Sequence, residues 1–129
     1  MLDTNIVSNA LRYPFGNAAA QMTVPGQAPV CVSAIVAAEM RFGARRVQSE
    51  RLTAQVEGIL QTMDVLPIDD AVSRHYADIR TNLEQRGAVI GPYDLLIAAH
   101  ALSLDLTLVT DNIREFSRVH NLRVENWLD

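Results

Sequence analysis

Gly91-Pro92-Tyr93-Asp94-Leu95-Leu96-Ile97-Ala98-Ala99-His100-Ala101-Leu102-Ser103-Leu104-Asp105-Leu106-Thr107-Leu108-Val109-Thr110-Asp111 is the stretch on which the fold reading turns. Pro92 is suited to the first turn of a helix that runs from Tyr93 to Leu104. That helix is apolar nearly all round, so it is expected to be buried. The apolar, β-branched run Leu106–Val109 then reads as a strand closed by a turn. A buried helix feeding a short buried strand is the unit of a parallel sheet covered on both faces.

The same alternation extends outward in both directions. Val30–Val32, Val65–Ile68 and Leu122–Val124 are further candidate strands. Ser33 can cap a helix reaching Arg46, and Val56, Ile59, Leu60 and Met63 follow helical spacing. Val72, Tyr76, Ile79 and Leu83 do the same, with Asp69 or Asp70 as N-cap and Gly87 as the stop. The chain therefore reads as one α/β domain over residues 1–129, with no linker or repeat. In such sheets, ligands gather at the carboxyl ends of the strands.

Composition narrows the function. All 11 basic residues are arginine, which excludes mechanisms that need a lysine. The single cysteine, Cys31, allows no intramolecular disulfide, and no apolar run is long enough for a membrane helix. A cytoplasmic setting is expected. The net charge of −4 argues against a nucleic-acid partner on its own. His75, His100 and His120 show no metal-binding spacing, and Phe42, Phe116 and Trp127 read as core anchors.

Four acidic residues fall where such a sheet keeps its site. Asp3 precedes a helical stretch, where it can also be a simple N-cap. Glu39 shares a helix face with Ile35 and Phe42, unless it pairs with an arginine such as Arg46 or turns to solvent. Asp94 lies in the first turn of the apolar helix, where the helix dipole alone would favour an acid. Asp111 directly follows the Leu106–Val109 strand, a position equally natural for a turn. Asn112 with Glu115 fits a capping box. Brought to one edge, these carboxylates need a counter-cation, and an all-oxygen set suits Mg²⁺ or Mn²⁺.

Leu2-Asp3-Thr4-Asn5-Ile6, Ser33–Gly43 around Glu39, Ile90–Ala98 around Asp94, Val109–Phe116 and Arg123–Trp127 together resemble the PIN-domain ribonucleases. Within them, the motifs are most similar to the VapC toxins of bacterial type II toxin–antitoxin pairs. The resemblance implies a three-layer α/β/α sandwich on a mostly parallel sheet, Mg²⁺ or Mn²⁺ as cofactor, and hydrolysis of RNA, with transfer RNA a fair guess. It also implies a VapB-like antitoxin as partner, a homodimer and a cytoplasmic location in a bacterium. Asp3, Glu39 and Asp94 match the first three acids of the family. Asp111 is assigned as the fourth, with Glu115 as a weaker ligand or supporting group. Thr4, Asn5 and Thr110 match the polar residues that accompany them. Arg41, Arg45 and Arg46 could line an RNA path. Two divalent ions would bring the formal charge from −4 to zero.

Only Met1 and Leu2 precede Asp3, whereas strands ordinarily run roughly 5–6 residues. Either the first strand is a stub or upstream residues are missing. The alternatives are a PIN-fold binding module without catalysis, and a Mg²⁺-dependent phosphatase. The latter is disfavoured by Asn5 where a second acid is wanted, and by the missing lysine.

Overall fold

The computed structural model describes residues 1–128. Two short parallel ladders form the sheet: β1 (Cys31–Ser33) with β2 (Asp64–Leu66), and β3 (Leu108–Val109) with β4 (Val124–Glu125). Residues 1–3 join them. The Leu2 N–H donates to the Cys31 carbonyl on one side at 2.8 Å, while on the other side the Asp3 N–H donates to Val109 at 2.9 Å. Leu2 also forms a parallel bridge with Val109. The order across the sheet is therefore β2, β1, residues 1–3, β3, β4.

Both faces of this sheet are covered. Met1, Leu2 and Asp3 are consecutive and all buried, as are Leu108, Val109 and Thr110. Neighbouring strand residues point to opposite faces, so burial of consecutive residues requires a layer on each side.

Seven helices are formed among the described residues: α1 (Thr4–Arg12), α2 (Asn17–Met22), α3 (Ala34–Arg46), α4 (Glu50–Leu60), α5 (Asp70–Gln85), α6 (Pro92–Ser103) and α7 (Ile113–Phe116). Their starts follow the expected chemistry. The Ser33 hydroxyl accepts from the Ile35 N–H, and Asp69 accepts from Val72. Gly87 ends α5 with φ at +62°, a conformation that costs glycine least. α5 packs mainly on α6, whereas α1, α3 and α4 pack on one another. Two short helices, α2 and α7, escape the periodicity reading because one turn or two shows no period. α2 instead owes its helicity to three consecutive alanines.

Two of the three expected aromatic anchors are corrected. Phe116 is fully buried, but Phe42 is 62% exposed and its ring lies under the Arg46 guanidinium. The buried face of α3 is Val36, Ala37, Met40 and Ala44, which leaves Phe42 about 120° to 160° around the helix from those residues. Trp127 is only half-buried, packed on the core from the edge with its indole N–H donated to Glu125. The apolar residues of α4 and α5 belong to the interior: Val56, Leu60, Val72, Ile79 and Leu83 are all buried. No helix among the described residues is long and apolar enough to cross a membrane.

One buried polar contact ties the helices together. His100 on α6 lies with Nδ1 2.8 Å from the Ser33 hydroxyl at the start of α3. Burial holds its pKa below the ordinary histidine value.

Leu2 is fully buried in the segment that joins the two ladders. Leu2→Ala is expected to cost about 2–5 kcal/mol in urea unfolding. A loss below about 1 kcal/mol would show that these residues do not hold the sheet together.

Candidate active site

Each acid is placed by the element that carries it. Asp3 closes the central segment and opens α1, so it caps the helix and faces the site at once. Its Oδ1 accepts the Thr4 N–H and its Oδ2 accepts the Thr110 hydroxyl, both at 2.8 Å. Glu39 sits on α3 at the edge of the buried face and accepts the Thr4 hydroxyl at 3.3 Å. Neither the ion pair with Arg46 nor a fully solvent-facing side chain is found; Glu39 is half-buried. Asp94 lies in the first turn of α6, and Asp111 stands two residues beyond β3, after Thr110, and accepts the Asn5 amide.

Asp3, Glu39, Asp94 and Asp111 line one cleft of about 540 Å³. Thr4, Asn5, Ser8, Asn9, Arg12 and Tyr13 of the α1 side line it too. The four acids thus line the same cleft. Thr110 is fully buried beneath them, where its hydroxyl also accepts the Asn112 N–H at 3.0 Å.

Glu115 departs from the capping box. Its carboxylate accepts the Gly91 N–H at 2.8 Å and the Asn112 side-chain amide at 2.6 Å. Asn112 makes no side-chain cap to α7. The reason is tertiary: the free N–H at the start of α6 competes successfully for the carboxylate. Glu115 therefore sits beside Asp94, with which it shares a hydrogen bond. The sequence reading gives Asn112 only a capping role and Gly91 only a place in the motif around Asp94; neither is assigned to the site there.

The electrostatics are those of a crowded anionic site. Burial, with repulsion from Glu115, Asp3 and Glu39, raises the Asp94 carboxyl to about 7. Burial likewise pushes Asp3 up against its two hydrogen bonds, and raises Glu39. Burial also acts to raise Glu115, but the Gly91 N–H, Asn112, Asp94 and Arg118 outweigh it and hold that carboxyl low. In addition, the Asn5 carbonyl oxygen is buried without a hydrogen-bond partner. As the side chains stand, no three His, Cys, Asp or Glu residues among those described converge closely enough to enclose an ion. The donor chemistry nevertheless fits a hard divalent cation, with four carboxylates and an orphaned amide oxygen around one cleft.

The remaining candidates separate. Arg41 is committed to Glu57 through two contacts of 2.7 and 3.1 Å. Arg45 lines a different depression with Gln48 and Glu50, whereas Arg46, over Phe42, lines a groove that shares Thr4, Ser8, Arg12 and Glu39 with the acidic cleft. The cation that lines the acidic cleft is Arg12, which belongs to a polar stripe of α1 at helical spacing: Thr4, Asn5, Ser8, Asn9, Arg12. That stripe was the signal in the sequence.

Comparison with known proteins identifies relatives of the whole chain. A PIN domain model matches residues 1–122. The tRNA(fMet)-specific endonuclease VapC of Shigella flexneri is 38% identical over 128 residues, covering 98% of this chain and 96% of that protein. Ribonuclease VapC2 of Rickettsia felis is 36% identical over 129 residues, covering 98% and 96%. Among solved structures, VapBC2 of Rickettsia felis bound to a promoter DNA fragment superposes with a TM-score of 0.92 at 34% identity, covering 98% of this chain and 97% of that one. DNA-bound VapBC of Salmonella typhimurium gives 0.92 at 35% identity, with 98% and 96% covered.

A stability consequence follows from Asp94. The folded chain keeps its proton to about pH 7, whereas the unfolded chain releases it near the ordinary value of 3.8. The folded state binds more protons in that window, so its stability falls as pH rises through it. In EDTA, the Tm is expected to decline more steeply from pH 5 to 8 in the wild type than in Asp94→Asn. The variant keeps a donor toward Glu115 but carries no charge. Parallel Tm curves would refute the assignment.

Proposed function

The chain belongs to the PIN-domain family, and on that footing we propose that it is a divalent-cation-dependent endoribonuclease, the toxin of a VapBC-type toxin–antitoxin pair. The observation that carries the reading is the meeting of Asp3, Glu39, Asp94 and Asp111 in one cleft at the carboxyl ends of the strands. The VapC relatives, which match over nearly the whole chain, are named as ribonucleases, and the superposing structures are VapBC assemblies. A VapB-like antitoxin is the corresponding protein partner. Because the Shigella relative is named for tRNA(fMet), that tRNA is the first substrate to try.

Asp3, Glu39 and Asp94 would hold Mg²⁺ or Mn²⁺, with Asp111 completing the set. Bound there, a divalent cation supplies neutralisation of phosphate charge and a water acidic enough to act as nucleophile at neutral pH. The chain itself supplies position. Thr110 and Thr4 fix the two oxygens of Asp3, and the Thr4 hydroxyl fixes Glu39. Glu115, pinned by Gly91 and Asn112, accepts the hydrogen bond of the protonated Asp94 carboxyl until the pH or a cation removes that proton. A ligating carboxylate must be deprotonated, so the Asp94 value of about 7 implies tighter cation binding at pH 8 than at pH 6.

The test is incubation of the purified protein with total RNA and with tRNA(fMet), in Mg²⁺, Mn²⁺ or EDTA. Cleavage is expected with metal and not with EDTA, leaving a 5′-phosphate and a 3′-hydroxyl. Asp3→Asn and Asp94→Asn should each lose at least about 100-fold in rate, since even groups outside the coordination shell cost up to that. Products ending in a 2′,3′-cyclic phosphate, or full activity in EDTA, would reject this chemistry. Calorimetry with Mn²⁺ at pH 6 and 8 checks the cation separately, and equal affinities would remove Asp94 from the ligand set.

A further inference from the structure

The acidic cleft has one cationic and one aromatic residue among those described as lining it, and they are adjacent: Arg12 and Tyr13. Arg12 is the last residue of α1 and Tyr13 its C-cap, with the Tyr13 N–H bonded to the Asn9 carbonyl. The guanidinium lies 5.6 Å from the centre of the Tyr13 ring. Among the described residues, Arg12 makes no ion pair or hydrogen bond, although four carboxylates line the same cleft. Four of the other ten arginines are ion-paired, Arg41 with Glu57, Arg74 with Asp70, Arg80 with Glu84 and Arg123 with Asp105, and Arg86 and Arg118 donate to backbone carbonyls.

Tyr13 is 51% exposed, but its backbone is not loose. The chain folds back at once, with the Gly16 N–H on the Tyr13 carbonyl at 2.9 Å. A Cβ at Gly16 would stand 3.1 Å from the Tyr13 Cβ and 3.2 Å from its carbonyl oxygen, so this turn closes comfortably only around glycine. The ring is presented by a helix end and a tight turn, which lowers the ordering cost of a contact made there.

A planar cation without an ion pair, lying over one face of a half-exposed aromatic ring whose other face is left for a ligand, matches one ligand chemistry, a phosphate linked to a base. The guanidinium fork suits phosphate oxygens, and a ring face accepts any base by stacking. We propose that Arg12 and Tyr13 form the subsite for the nucleotide flanking the scissile bond, Arg12 pairing with its phosphate and Tyr13 stacking on its base. The assignment rests on the ribonuclease reading. It makes the substrate unpaired at that nucleotide, because a base inside a duplex has no free face to offer.

The experiment is fluorescence polarisation with a labelled single-stranded 12-nucleotide RNA and Mn²⁺, in an Asp94→Asn background that does not cut the probe. Tyr13→Leu should weaken binding about fivefold or more, the low end of base-stacking contributions, while Tyr13→Phe stays near the parent. Arg12→Gln should lower the slope of log affinity against log salt by about 0.7, the signature of one lost phosphate contact on a single strand. Phe15→Ser, on the same turn but outside the cleft lining, should leave affinity unchanged. Unchanged affinity and salt slope in Arg12→Gln, or Tyr13→Phe as weak as Tyr13→Leu, would overturn the proposal. So would variants that bind RNA normally but escape inhibition by a VapB-like antitoxin, because the pair would then serve a protein partner. If wild type cuts RNA while these variants bind it normally, the subsite fails and the nuclease stands; if wild type neither binds nor cuts RNA, the underlying reading fails.

Discussion

Leu2 and Asp3 run between β1 and β3 with hydrogen bonds to both sides, and the sheet and the site both depend on that placement. Without it the protein would have two separate two-stranded ladders, each too small to stand alone. The same backbone bonds deliver the Asp3 carboxylate to the end of the sheet, where Thr4 and Thr110 grip its two oxygens. Thr4 passes the connection to Glu39 on α3, so one threonine links the central segment to a second acid. Stability and site geometry are therefore carried by one short segment rather than by separate parts of the chain.

The second constraint is electrostatic. Carboxylates brought together at the edge of a buried sheet repel, and the chain answers mainly with hydroxyls, a backbone N–H and a shared proton, with Arg118 acting on Glu115. Asp94 holds its proton to about 7 while the neighbouring Glu115 is kept low, a pair pushed apart by environment. The cleft keeps Arg12 unpaired and the Asn5 carbonyl oxygen unsatisfied. A fold selected for stability alone would pair these groups with one another. Leaving them open costs free energy in the isolated chain and leaves room for ligands of both signs.

Much of the architecture was legible in the sequence because it rests on local physics. The caps at Ser33 and Asp69, the stop at Gly87 and the buried α6 follow from side-chain chemistry and period alone. Asp3 was legible twice over, since it caps α1 and its carboxylate also lines the cleft. Glu39 was found for an imperfect reason: the face it was expected to share with Phe42 is not the buried one, and it reaches the cleft from the edge of α3. The capping box at Asn112 and Glu115 was misread because a local motif cannot know that Gly91 will arrive 24 residues away in sequence with a free N–H. Short helices such as α2 left no periodic trace.

The sequence by itself determined the α/β alternation, the capped starts of α3 and α5 and which acids stand at strand ends and helix starts, since periodicity, capping and residue chemistry act over a few residues. Tertiary structure alone decided three things: how residues 1–3 join the two ladders, which carboxylate keeps a proton, and which arginine faces the cleft. Those depend on distances and burial between groups remote in the chain, and no local pattern encodes a long-range field or a hydrogen bond 107 residues apart such as that between Thr110 and Asp3.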